Sequence, residues 1–338
     1  MVQHRIRDGL VIVQRPIVSV VIPTRNRPEL VLRAVRSALA QTLPELEVVV
    51  VIDGPDPATV EALRGVGDDR VRPIELEKSG GAPAARNHGV DAAHAEWVAF
   101  LDDDDEWLPE KLTTQLARAK ASGVALPIVG SRLYMRTPRA ELIMPRRIPA
   151  PGEPISEYLA VRHGLFHGDG FIQTSTIMAP TALLRKVPFT DGLRRLQELD
   201  WTLRSLQEDG VDLIYAEEPL VIWYADENRP RISFDAPWKQ SLTWLEETRP
   251  RVTPRAYAAL AMSVVGSMAA SSRSPKVFFG LLREARTHGK PSVTDYVTFL
   301  QVWLIPAGPR RIVRDFFLSR KRNRTIPKPE SRTSATVR

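Results

Sequence analysis

In "IVSVVIPTRNRPELVLRAVRSALAQ", residues 17–41, two periodicities meet. Residues 17–23 are mostly apolar and rich in β-branched side chains, the pattern of a strand buried on both faces. Pro28 then suits a first helical turn. Leu30, Val31, Ala34, Val35, Ala38 and Leu39 fall on one face at helical spacing. A buried strand feeding an amphipathic helix is half of a βαβ unit.

The chain repeats that unit. "LEVVVVID" (46–53) is a second buried strand ending in the turn signal Asp53-Gly54-Pro55. A short helix "PATVEALRG" follows, then a third strand (71–77), a helix (82–95) and a fourth strand, "EWVAFLDD" (96–103). Alternating strands and helices predict an α/β fold: a mostly parallel, Rossmann-like central sheet with right-handed crossovers, flanked by helices. Ligands of such sheets bind beyond the carboxyl ends of the strands. Asp53 and the run Asp102–Asp105 both sit at those ends, so two acidic sites should converge on one crevice.

Four adjacent carboxylates repel one another, at a cost of several tenths to a few kcal/mol per pair at about 4–7 Å. A cation offsets that cost. Oxygen ligands with no Cys nearby suit Mg²⁺ or Mn²⁺, which keep waters and usually hold a phosphate too. Pro109 and Glu110 open the next helix, whose N-terminus favours anions.

Further along, strands are expected at 126–135, 172–180, 211–216 and 220–225, with helices near 153–163 and over 193–209. Residues 136–172, rich in Pro and Gly, read as loops. From about residue 236 the pattern turns helical, at 237–248, 254–272, 275–287, 291–305 and 309–320. The expected division is an N-terminal extension (1–16) with a further strand at 9–16, an α/β domain (17–235), a C-terminal helical region (236–320) and a basic disordered tail (321–338).

The 338 residues include no Cys, which excludes disulfides and thiolate metal sites. The N-terminus lacks the pattern of a signal peptide, and no run reaches the ~18–20 apolar residues that span a bilayer. A cytoplasmic protein, or one peripheral on the inner face of the plasma membrane, is expected. Ten of the 47 Lys and Arg but only two of the 40 Asp and Glu lie in 310–338, so that segment carries +8 and the rest −1. Such a tail is either a solvated terminus or a contact for anionic surfaces. The preceding aromatic and basic helices are either a cap or dimer surface, or an interfacial element touching membrane. No G-x-x-x-x-G-K-[ST] and no G-x-G-x-x-G is present, so ATPase and dinucleotide chemistry lose support. No nucleic acid is expected as a partner.

"VSVVIPTRNRPELVLRAVRSALAQT", "VVVVIDGPD", "GAPAARNHGV" and "AEWVAFLDDDDEWLPEKL", in this order, resemble the nucleotide-sugar domain of family 2 glycosyltransferases with the GT-A fold, over residues 17–225. The resemblance implies an inverting, metal-dependent transferase. It implies that Pro23, Thr24, Arg25 and Asp53 hold the nucleoside, and that Arg86 and Asn87 face the donor. Asp102-Asp103-Asp104 matches the family's D-x-D motif: Asp104 touches the metal, with Asp102 as a second metal ligand, and Asp102 or Asp103 contacts ribose or sugar. "LQELDWTLR" (196–204) matches the helix that supplies the base, implying Glu198 with Asp200 in reserve. Three positions depart from the pattern, Ile52 for the first of two aspartates, Gln197 for a glutamate and Glu198 itself for an aspartate. "QTST" (173–176) lies where the family lines the acceptor side. The implied donor is a UDP-sugar, the acceptor a glycan or lipid-linked hydroxyl, and the setting bacterial cell-surface glycan synthesis. A catalytically degenerate nucleotide- or glycan-binding protein and a sugar nucleotidyltransferase are the competing readings. His163, His167 and Asp169 form a second conceivable metal constellation.

Overall fold

The computed structural model describes residues 2–6, 9–13, 15–164, 169–225, 238–306, 308–310, 312–313 and 316–317. The boundary expected near 235, His167 and the tail 321–338 lie outside the described residues. The first element is a hairpin of Val2–Ile6 (β1) and Gly9–Val13 (β2), paired antiparallel with Val2 opposite Val13.

Val18–Thr24 (β3) and Leu46–Ile52 (β4) are buried at every residue. They pair in parallel, and Val71–Glu75 (β5) and Trp97–Phe100 (β6) flank them in the same direction. The helices between them are Pro28–Leu39 (α1), Pro57–Arg64 (α2) and Ala82–Ala92 (α3). Alternate residues of the strands face opposite layers. Val18, Val20, Ile22, Val48, Val50 and Ile52 share a core with Val31, Ala34 and Val35 of α1. Val21, Val49 and Val51 pack with Ala85 and Val90 of α3 on the other side. There α3 comes so close that a Cβ at Gly89 would stand 2.3 Å from Val21 Cγ1. Only glycine lets the helix sit at that depth.

The second half of the sheet is mixed. It holds Glu106–Trp107 (β7), Leu126–Arg136 (β8), Glu141–Met144 (β9), Met178–Pro180 (β10) and Val211–Tyr224 (β11). The order is β5-β4-β3-β6-β10-β8-β11-β7, with β9 on β8. β10 lies antiparallel between β6 and β8, whereas β11 runs parallel to β8. The helices here are Lys111–Ser122 (α4), Ile155–Ala160 (α5), Thr181–Lys186 (α6) and Gln197–Ser205 (α7).

Several expectations change, among them the loops expected over 136–172, where β9 pairs with β8. The two strands expected at 211–216 and 220–225 are one strand, because Glu217-Glu218-Pro219 makes register shifts against β8 instead of a turn. The strand expected over 172–180 shrinks to β10. Its first half is a 3₁₀ turn, Thr174–Thr176, started by the Gln173 side chain accepting from Ser175 N. The helix expected at 193–209 starts only at Gln197, since Leu196 has φ 64°.

The C-terminal region comprises Trp238–Thr248 (α8), Pro254–Ala259 (α9), a π-turn Leu260–Val265, Gly266–Ala269 (α10), Pro275–His288 (α11) and Val293–Leu304 (α12). These helices form a third core that also takes in Ala160, Val161, Leu193 and Leu203 of the α/β unit. They therefore cap that unit.

Candidate active site

β3, β4 and β6 are parallel, so their carboxyl ends open on one edge. Asp53 follows β4 there. Its side chain accepts from Ser79 Oγ at 2.7 Å, Gly80 N at 2.7 Å and Gly81 N at 3.1 Å. Gly54, at φ 101°, turns the chain away beneath Ser79. Arg25 Nη1 donates to Ser79 Oγ at 2.6 Å, which ties the loop after β3 to the same clasp. Asp56 accepts from Asn26 N at 2.8 Å and caps α2 through Thr59 N at 3.1 Å. Pro23 and Thr24 are buried at the end of β3.

The four aspartates alternate. Asp103 and Asp105 are buried, and Asp102 and Asp104 are partly exposed. Asp103 is held by Thr24 Oγ1 at 2.8 Å and Arg27 Nη1 at 3.1 Å. Burial still pushes its carboxyl up to about 6, opposed by Arg27 and helped by Asp104. Asp105 accepts from Ser175 Oγ at 2.6 Å and Gln173 Nε2 at 2.8 Å through one oxygen, Oδ2. Full burial beside Asp104 and Asp102 drives it well above the usual carboxylate range. Asp104 faces Arg27 Nη1 at 3.8 Å, and its backbone carbonyl accepts from Arg33 Nη2 at 2.7 Å.

Asp102 is the hub. Arg86 Nη2 donates to it at 2.7 Å, and Gln173 Nε2 reaches its other oxygen at 3.3 Å. Arg86 also donates to Gln197 Oε1 at 2.6 Å and lies over the Phe189 ring. The glutamine at the departing position thus joins the acidic turn to α7. Next to it, Glu198 accepts from Thr174 Oγ1 at 2.9 Å. Asn87 spends both ends of its amide on Phe189, donating to its carbonyl and accepting from its N–H, each at 2.9 Å. This fixes the loop on which Arg86 rests.

Asp200, the reserve for Glu198, is buried elsewhere. Its oxygens accept from Thr190 Oγ1 at 2.7 Å, Arg204 Nε at 2.9 Å and Trp244 Nε1 at 3.0 Å. Both oxygens are committed, and one bond crosses to α8. Asp200→Ala should therefore cost about 3 kcal/mol of stability by stranding Arg204 and Trp244. Urea denaturation checks this; a stable variant that has lost only turnover would return Asp200 to the role of base.

The chain itself supplies part of the charge that the acidic turn needs: Arg27, Arg33 and Arg86 all converge on residues 102–106. None of these pairings was evident from spacing, and neither were Gln173, Thr174, Ser175 and Gln197 as partners. Among the described residues no three His, Asp or Glu side chains form a metal-ligand cluster. The chemistry of the donor set still fits a divalent ion, because Asp104 and Asp102 are hard oxygen donors left partly exposed at the edge. An octahedral Mg²⁺ or Mn²⁺ takes one or two carboxylates, with waters and substrate phosphate filling the rest. Around His163 the partners are cationic instead. Arg147 Nη2 stands 3.1 Å from His163 Nε2, and Asp169 binds Arg146 and the His163 N–H. Asp169 is thus already committed to Arg146 and to the backbone N–H of His163, while His167 lies outside the described residues.

The sequence profile of glycosyl transferase family 2 matches residues 19–187. Succinoglycan biosynthesis protein ExoO of Rhizobium meliloti (strain 1021) is 39% identical over 113 residues, 33% of this chain and 32% of the relative. Amylovoran biosynthesis glycosyltransferase AmsB of Erwinia amylovora is 28% identical over 247 residues, 70% of this chain and 79% of AmsB. The chain thus spans 32% of the first relative's length and 79% of the second's. S. aureus TarS 1–349, solved in complex with UDP-GlcNAc, superposes with a TM-score of 0.49 at 17% identity, over 84% of this chain and 79% of that one.

Proposed function

The chain belongs to glycosyl transferase family 2, with its GT-A fold, and from that premise we propose that it transfers a sugar, with inversion, from a UDP-sugar to a hydroxyl of a glycan or lipid-linked acceptor. The setting we propose is bacterial cell-surface polysaccharide synthesis, on the cytoplasmic side of the membrane. The names of two relatives, for succinoglycan and amylovoran biosynthesis, support that setting. The observation that carries the reading is the frame around Asp102. Through Arg86–Gln197 and through Gln173 and the adjoining Thr174–Glu198 bond, it links the acidic turn to α7 by two routes.

In this reading the clasp of Asp53 with residues 79–81 receives the nucleoside, and Pro23, Thr24 and Arg25 form its other wall. Arg86 and the half-exposed Arg27 answer the diphosphate charge. Asn87 positions Arg86 through Phe189. Asp103 braces the turn from beneath, and Asp102 orients the sugar while held by Arg86. Asp104, with Asp102 beside it, would hold Mn²⁺ or Mg²⁺. Such an ion, when bound, neutralises charge growing on the leaving diphosphate.

Glu198, oriented by Thr174, takes the proton from the acceptor hydroxyl as that oxygen attacks the anomeric carbon. The bond from that carbon to the diphosphate oxygen breaks on the opposite face, through an oxocarbenium-like transition state. No covalent intermediate is needed. Incubation with a panel of UDP-sugars, Mn²⁺ and a lipid-linked acceptor should release UDP and give a product of inverted anomeric configuration by NMR. Retention would overturn the single-displacement scheme.

A further inference from the structure

Of the eleven large apolar side chains exposed among the described residues, ten lie between 279 and 317. Their arrangement is regular. On α12, Val293, Val297, Leu300 and Leu304 are exposed at 79%, 43%, 46% and 76%. Their spacing of four, three and four residues makes a single stripe along the helix. The opposite side, with Asp295, Thr298, Phe299 and Val302, is already buried in the cap. The helix thus buries Phe299 and Val302 inward and carries a second apolar stripe outward, which is uncovered among the described residues. Beyond Ile305 the pattern continues, with Ile312, Val313, Phe316 and Phe317 each about half exposed. Exposed apolar side chains aligned along one helix face in this way mark an interaction site.

The charge of the adjoining sequence selects the occupant. Residues 310–338 carry ten basic and two acidic residues. In a two-fold dimer the same patch meets itself, which would bring two such basic segments together. Like charge opposes that pairing, whereas an anionic bilayer surface satisfies both features at once. No helix among the described residues is long and apolar enough to cross a membrane.

We propose that the outward stripe of α12 and the apolar residues 312–317 dock the protein on anionic lipid bilayers, with the basic C-terminal sequence supplying the electrostatic attraction. This deepens the membrane-side placement given above and depends on no step of the transfer reaction.

The test is co-sedimentation of the full chain with vesicles of phosphatidylcholine alone and of phosphatidylcholine mixed equally with phosphatidylglycerol. UDP binding is measured in parallel. The chain should pellet with the mixed vesicles, not with the neutral ones, and less so as salt rises. Leu300→Glu with Leu304→Glu should weaken this binding about tenfold or more, with UDP affinity unchanged. If the double variant misfolds by circular dichroism, Leu304→Glu alone takes its place. A wild-type chain left in the supernatant with anionic vesicles overturns the proposal. So does a variant that binds them as well as wild type, or a wild-type dimer, seen by light scattering, that the variant dissolves without any vesicle binding. Loss of UDP binding in the wild type would strike the transferase reading instead and leave the lipid result standing.

Discussion

Glu198→Gln is expected to slow transfer by about two to four orders of magnitude while leaving UDP affinity unchanged. The expectation rests on what the substitution preserves. The oxygen of the new amide can still accept the bond that Thr174 Oγ1 now gives Glu198 at 2.9 Å. The side chain keeps its length, its place on the first turn of α7 and its neighbour Gln197, which continues to hold Arg86. Only the capacity to take a proton disappears, and a positioned general base contributes roughly 10²–10⁴ in rate. Calorimetry with UDP separates this from damage to the donor site. Equal loss of binding and turnover would make Glu198 a structural support of the 174–176 turn.

Asp104→Ala is expected to lower metal-dependent transfer by about a thousandfold, because several kcal/mol of leaving-group stabilisation depend on holding the ion and each 1.36 kcal/mol is roughly tenfold. The same change should not lower the melting temperature. Its carboxylate is partly exposed, stands 3.8 Å from Arg27, and adds like charge to Asp103 and Asp105. Removing it relieves repulsion. Transfer assays across Mn²⁺ concentrations, with thermal denaturation alongside, test both halves. Wild-type rates in the variant, or wild-type activity persisting in excess chelator, would remove the ion from the mechanism.

The parallel half of the sheet was legible because β3 and β4 are continuous apolar runs, and buried strands need no alternation to be seen. The mixed half was harder. β10 is three residues long and owes its place to what lies on either side of it, not to a pattern of its own. Glu217-Glu218-Pro219 has turn chemistry, yet the ladder with β8 carries β11 through it. At the site, the order of the acidic run was visible, and its alternation between buried and exposed carboxylates was not. That depends on Thr24, Arg27, Gln173 and Ser175, which approach from other elements. The same holds for Gln197: as a departure from a motif it suggested loss, while its oxygen has a clear task in accepting from Arg86.

The bond from Trp244 to Asp200 couples the C-terminal cap to the α/β unit in any engineering of the molecule. Loops around the donor edge are tied to one another in the same manner, through Arg25 on Ser79, Asn26 on Asp56 and Thr24 on Asp103. The cap cannot be exchanged for another without also rewriting the helix beneath it, because one indole completes a carboxylate two residues from Glu198. A foreign C-terminus should therefore be grafted only together with a matching α7.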